Sequence, residues 1–288
     1  MIQWEREAMS RHTTFRVGGP AAFYLVPQSE EEVWEAVEFA HNRGLPYYPV
    51  GRGSNLLVSD EGYDGVMIEI GSGLEVIEAD DGIVEAQAGI TLAKMSQELA
   101  RRGLAGFEFA SGIPGTLGGA VTMNAGAYGG EIKDCISRAT VLTDTGDILV
   151  LGREELALGY RTSVIQTNSH MVISAVFSFD RDDTTRIQER MKELNERRRE
   201  KQPLEFPSAG STFKRPEGHF AGKLIEDAGL RGYRVGDAQV SEKHCGFVVN
   251  RGHATAAQIY KLIQDVTERV KQHSGIELEP EVRMIGKF

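Results

Sequence analysis

Between Glu108 and Glu131 the chain runs for 22 residues without a charge, FASGIPGTLGGAVTMNAGAYGG, and seven of them are glycines. A segment of that length could cross a bilayer as a helix. Its glycines, Pro114 and Asn124 make it a poor helix former and only weakly apolar, so it reads as a system of glycine-rich loops inside a folded domain. The whole chain holds 33 glycines in 288 residues, well above the background of roughly 7%. No Gly-X-Y period accompanies them and there are only 9 prolines, which excludes collagen and low-complexity disorder. The glycines must therefore occupy particular backbone positions.

Hydrophobic residues at 41% and charged residues at 26% describe an ordinary globular chain with ample core. A formal charge of −10 disfavours a nucleic-acid or anionic-membrane surface but permits a local basic pocket. Cys135 and Cys245 are far apart and form no CxxC pair, so a disulfide framework and a metal site are not expected and a reducing cytoplasm is. The opening MIQWEREAMSRHTTF lacks the apolar core of a secretory leader.

Periodicity alternates strands and helices. Ser29 to Glu32 reads as a capping box opening a helix through Val33, Val37 and Ala40, with Gly44 closing it. LPYYPV leads through GRGSN to LLVSD and VMIEI, and residues 75–88 form a hairpin on an Asp81-Gly82 turn. A helix spans Thr91 to Arg102, and RATVLTDTGDILVL and MVISAVFSF supply later strands. A polar stretch after Asp180 precedes a helix from Thr185 to Lys201. Its basic end, RRREKQP, reads as a solvated helix terminus complementing the dipole. These elements predict an α+β chain with a domain at 1–182, in lobes of about 1–70 and 71–182, and a C-terminal domain at 183–288. The latter carries helices near 220–228 and 255–273.

Gly51-Arg52-Gly53-Ser54-Asn55 and Gly112-Ile113-Pro114-Gly115 are places where a phosphate could approach peptide N–H groups. No Gly-Lys-Ser/Thr follows either loop, and neither is a GxGxxG opening a βαβ helix. Each alone reads more readily as a plain turn. Together, PVGRGSNLLVSD, GIPGTLGGAVTMNAGAYG, LGYRTSVIQ, AGSTFKRP and LEPEVRMIG, in this order, resemble the UDP-N-acetylenolpyruvoylglucosamine reductases, also called UDP-N-acetylmuramate dehydrogenases. The similarity covers nearly the whole chain. It implies non-covalent FAD in a domain of the vanillyl-alcohol-oxidase type, NADPH as reductant, a C-terminal α+β substrate-binding domain and an enolpyruvyl ether of UDP-GlcNAc as substrate. It also implies a cytoplasmic enzyme of cell-wall synthesis, taken here as a monomer. The tyrosine-bearing insertion of the longer subclass has no counterpart, and Leu158 and Ile165 stand where aromatic residues are expected.

The resemblance places catalytic roles on Arg161, Ser211 and Glu281. Hydride delivery to an enolpyruvyl methylene carbon requires a fixed cation for the developing charge and a proton donor for the adjacent carbon. Arg161 suits the first role because it is permanently charged and can hold a carboxylate bidentately. Ser211 matches the proton donor, with Gly210 letting the backbone come close, and Glu281 orients that donor or assists it. For FAD the resemblance implies Gly51, Arg52, Gly53, Ser54, Asn55, Gly112, Ile113, Pro114 and Gly115, with Asn124, Ala125, Gly126, Ala127 and Tyr128 lining the flavin or its phosphates. Lys214 and Arg215 are the leading cations for the UDP diphosphate, beside Tyr128, Arg161, His244 and Arg283. His12 is expected to pack or cap rather than carry a covalent flavin. Two rivals stay open: another FAD oxidase of this fold, and a non-catalytic nucleotide-binding regulator.

Overall fold

A computed structural model describes all 288 residues, Met1–Phe288. The chain forms two compact units, both discontinuous in sequence. The first comprises Met1–Trp4, Tyr24–Arg52 and Gly65–Arg198; the second comprises Glu5–Phe23, Gly53–Asp64 and Arg199–Phe288. This differs from a contiguous division near residue 182. The reason is hydrophobic: Phe15, Val17 and Leu57 belong to the same core cluster as Ile225, Val248, Leu262 and Val266. Backbone pairing agrees, since Leu56–Val58 lies parallel to Arg283–Ile285.

In the first unit, helix α1 (Glu30–His41) buries Val33, Ala36, Val37 and Ala40 at helical spacing. Ser29 caps it by accepting from Glu32 N at 3.3 Å. The box is only half built, because the Glu32 carboxylate accepts from Gln28 N at 2.7 Å and the chain's amino terminus rather than from the Ser29 N–H. Tyr47–Val50 then pairs in parallel with Tyr63–Glu69. A five-stranded antiparallel sheet runs in the order Ile148–Gly152, Ile136–Leu142, Met171–Ser178, Ile83–Gln87, Ile77–Asp80. Met171–Ser178 is central, and its first seven residues are buried. The Asp81-Gly82 turn joins the last two strands, with both residues at positive φ (40° and 85°), as a two-residue hairpin demands.

Helix α2 (Leu92–Arg101) is capped by Thr91 and stops before Gly103 at φ 67°. The uncharged segment holds a short helix, α3 (Leu117–Thr122), flanked by turns and a small hairpin. Gly118 is needed there because a Cβ would sit 3.0 Å from Ala88 Cβ. A single helical turn, α4 (Val164–Thr167), precedes the central strand. Helix α5 (Thr184–Lys201) is tied down by Arg190, whose guanidinium donates to the buried Glu108 carboxylate at 2.6 Å and to Asp182 at 2.9 Å.

The second unit stacks α6 (Ala221–Asp227) and α7 (Ala256–Ser274) with a three-stranded sheet of Arg234–Val235, Ala238–Val240 and Val248–Asn250. Thr255 and Gln258 form a complete capping box at the start of α7, and Asp60 accepts from Ala256 N and Ala257 N at 2.8 and 2.9 Å. No helix is long and apolar enough to cross a membrane.

Candidate active site

In the first unit the site residues converge on the end of α3. Gly159 and Thr162 bridge one another, so Tyr160 and Arg161 form the tip of a tight turn with Arg161 at φ 56°. Three side chains lash this turn to the end of α3 and the residues that follow it. Ser163 Oγ donates to Thr122 O at 2.6 Å, Gln166 Nε2 donates to Thr122 O at 2.9 Å and Arg161 O at 3.2 Å, and Asn124 Nδ2 donates to Gly159 O at 2.9 Å. The Arg161 guanidinium donates to Gly126 O at 2.9 Å. Ile165, where an aromatic residue was expected, is buried beneath the turn.

Asn124 is not positioned by its side chain to line a cofactor. It is fully buried at φ 42°, and its amide also donates to Glu131 Oε2 at 2.6 Å and accepts from Lys133 N at 2.9 Å. The side chain is a brace between the α3 end, the following hairpin and the Arg161 turn. Asn124→Ala would leave a carboxylate, an amide N–H and a carbonyl without their partner, so a loss of about 3 kcal/mol in urea-unfolding stability is expected. The hairpin pairs Gly126–Ala127 with Gly130–Glu131 and carries Tyr128 (φ 55°) and Gly129 (φ 90°) as its turn, with Tyr128 largely exposed. Asn124, Tyr128 and Arg161 are all non-glycine residues in left-handed backbone, a conformation that persists only where the surroundings impose it and that concentrates at functional sites.

The glycine loops owe part of their composition to internal contacts. A Cβ on Gly51 would fall 2.3 Å from Thr116 Oγ1, so Gly51 is what lets this loop lie against the residue following Gly115. Gly53 sits at φ 58° with His12 O where a Cβ would go. The peptide N–H groups of Arg52, Gly53, Ser54, Gly112 and Gly115 donate to no acceptor in the protein. Such unspent donors in glycine-rich turns fit a dinucleotide diphosphate. Asn55 acts differently: its side chain donates to Glu281 O at 3.1 Å, and its own carbonyl accepts from Arg283 N at 2.9 Å. Arg52 is solvent-exposed. His12 Nε2 is hydrogen-bonded to Glu7 Oε1 at 3.0 Å.

In the second unit, Ser211 bridges Phe247 and Phe213 bridges Pro280, so the segment 211–214 lies between two backbones. Glu281 N donates to Thr212 O at 2.8 Å, which brings Glu281 next to the serine strand. Thr212 is fully buried, and its hydroxyl accepts from Val248 N at 3.0 Å, anchoring the strand while Ser211 stays exposed. Gly210 has φ 74° and open space where a Cβ would stand, so the backbone conformation rather than a close approach demands glycine.

Lys214 forms a partly exposed ion pair with Glu279, a weak contact that a phosphate can displace. Arg215 donates to His219 O at 3.2 Å and lies 4.0 Å over the exposed Phe220 ring. Burial holds the His244 imidazole below its ordinary pKa, and its Nδ1 accepts from Gly246 N at 3.1 Å. Burial therefore favours its neutral form. Arg283 is exposed on the strand beside Leu56.

Comparison with known proteins defines first a class. A model described as FAD binding domain matches residues 21–152. A solvent-stable cholesterol oxidase aligns over 62% of this chain and 38% of its own with a TM-score of 0.51 at 16% identity, a likeness of fold alone. The chain thus carries an FAD-binding domain with a fold of the vanillyl-alcohol-oxidase type.

The particular family follows from the C-terminal part and from full-length relatives. The model for the C-terminal domain of UDP-N-acetylenolpyruvoylglucosamine reductase matches residues 202–285. Reductases of that name from Lachnoclostridium phytofermentans and Agathobacter rectalis are each 53% identical over 98% of this chain and 92% and 93% of their own. The crystal structure of UDP-N-acetylenolpyruvylglucosamine reductase from Thermus caldophilus matches with a TM-score of 0.84 at 36% identity, over 99% of this chain and 100% of that one. This chain belongs to the UDP-N-acetylenolpyruvoylglucosamine reductase family.

Proposed function

We propose that the chain reduces the enolpyruvyl ether of UDP-N-acetylglucosamine to the lactyl ether of UDP-N-acetylmuramate, with NADPH as electron donor, as a cytoplasmic step of peptidoglycan precursor synthesis. The observation that carries this reading is the presence, in one chain and in order, of the FAD-binding match at 21–152 and the reductase C-terminal match at 202–285. Bound FAD supplies the two-electron relay between nicotinamide and enolpyruvyl group. The peptide donors of the Gly51–Asn55 and Gly112–Gly115 loops are those that would hold the cofactor's diphosphate, with no covalent attachment.

The protein supplies charge and a proton. The methylene carbon gains hydride and becomes a methyl group, leaving an electron pair on the carbon that bears the carboxylate. Arg161 holds that carboxylate and stabilises the charge spreading onto it. Ser211 donates its hydroxyl proton to the adjacent carbon, completing the lactyl ether, and Glu281 on the neighbouring backbone orients the hydroxyl. Lys214 and Arg215, with Arg283, are the cations for the UDP diphosphate; Lys214 would exchange its exposed Glu279 partner for the phosphate.

Stopped-flow absorbance of the holoenzyme tests the reading. NADPH should bleach the flavin, and the enolpyruvyl substrate should then reoxidise it far faster than dissolved oxygen does. Faster reoxidation by oxygen would assign the chain to an oxidase instead, and a preparation unable to take up FAD would leave only a regulatory role.

A further inference from the structure

The basic run at the end of α5 does not behave as one solvated terminus. Arg197 is exposed and pairs with Glu193 one turn earlier at 2.5 Å. Arg198 points the other way. Ile187, Met191, Leu194, Asn195 and Arg198 recur at helical spacing, and all are buried or half-buried, so Arg198 continues the inward face of the helix. There it meets the second glycine loop: a Cβ on Gly112 would stand 3.0 Å from Arg198 Cδ and 2.5 Å from Asn195 Oδ1. Asn195 Nδ2 donates to Ser111 Oγ at 3.2 Å, pinning the helix to the turn that precedes Gly112. Glycine at 112 is thus what gives the arginine room.

This cation has no counter-ion. Burial disfavours its charged form, and the only group opposing that effect is the Tyr128 phenol; no carboxylate stands against it. A half-buried guanidinium without an anion is disfavoured, and a ligand bringing negative charge would relieve that cost. The peptide N–H groups of Gly112 and Gly115, without internal acceptors, belong to the loop on which the arginine packs. Peptide donors in a glycine turn together with one guanidinium suit a phosphate ester, whose oxygens accept from both.

We propose that Arg198 is a phosphate-binding residue, completing with Gly112 and Gly115 a subsite for a nucleotide phosphate. The inference rests on the reading that the Gly112–Gly115 loop faces a bound nucleotide. The phosphate could be the flavin diphosphate, the UDP diphosphate or the 2′-phosphate of NADPH, and three measurements on the full-length holoenzyme separate them. Flavin fluorescence on dilution reports FAD dissociation, calorimetric titration with UDP reports the uridine diphosphate, and the ratio of KM for NADH to KM for NADPH reports the 2′-phosphate.

Arg198→Met should weaken one of these at least tenfold, with Arg198→Lys recovering part of the loss. In the ligand-free chain Arg198→Met should melt no lower than the parent, because it removes an uncompensated charge. An arginine with a purely structural role would instead lower the melting temperature and leave all three affinities in place. All three within twofold of wild type in Arg198→Met would overturn the proposal. If wild type itself retained no FAD and bound no UDP, the functional reading would fall instead, so the two failures are distinguishable.

Discussion

Ser211→Ala is expected to leave NADPH able to bleach the flavin at the wild-type rate while slowing reoxidation by the enolpyruvyl substrate by roughly a thousandfold. The two half-reactions separate because only the second needs a proton delivered to carbon. A hydroxyl is a weak acid, but the carbon left after hydride addition is a strong base, so a positioned O–H suffices where bulk water would be slow. The substitution leaves the surrounding fold intact: Ser211 is exposed, and the strand is held by the buried Thr212 hydroxyl and by Glu281 N. Stopped-flow absorbance of the variant, reduced first and then mixed with substrate, gives the rate directly. Reoxidation at the normal rate would remove Ser211 as the acid and turn attention to Glu281.

Arg161→Lys is expected to produce a loss of roughly a hundredfold in the same half-reaction, again with flavin reduction by NADPH preserved. The guanidinium donates to Gly126 O at 2.9 Å and to Asn124 O at 3.5 Å, contacts that orient its plane. An ammonium is a point charge on a flexible stem and cannot keep that orientation while holding two oxygens. Backbone strain does not confound the comparison, because lysine and arginine carry the same Cβ cost at φ 56°. The substrate dependence of reoxidation separates weakened binding from a slowed chemical step. Near-normal turnover would show that the carboxylate is held elsewhere.

Much of the local architecture was legible because it depends on neighbours in sequence. The Asp81-Gly82 turn and the helices beginning near Thr91 and Thr255 follow from residues a few positions apart. The half-built box at Ser29 shows the limit of that logic, since Glu32 is claimed by Gln28 N and by the amino terminus. Site residues were legible as a pattern but not as roles. Asn124 and Asn55 stand in glycine-rich motifs that suggest cofactor contact, yet their amides brace the Arg161 turn and Glu281. Lys214 reads as an unpaired cation until its contact with Glu279 is seen. Arg198 was hidden by its company, a run of like charges that suggests solvent. The helical phase of Ile187, Met191 and Leu194 carried the contrary signal.

The sequence alone determined the family resemblance, the α+β alternation, the glycine loops and which residue types could grip a carboxylate or give up a proton. These rest on covalent order and on interactions within one helical turn or one hairpin, where a few neighbours decide the outcome. Only the tertiary structure decided that segments 5–23 and 53–64 join the C-terminal core and that Arg161 sits on a turn held by Ser163, Gln166 and Asn124. It alone distinguished the cation already paired with a carboxylate from the one without a counter-ion. The reason is physical: burial and hydrogen-bond competition depend on groups far apart in the chain, and those partners are set only when the hydrophobic core brings their backbones together.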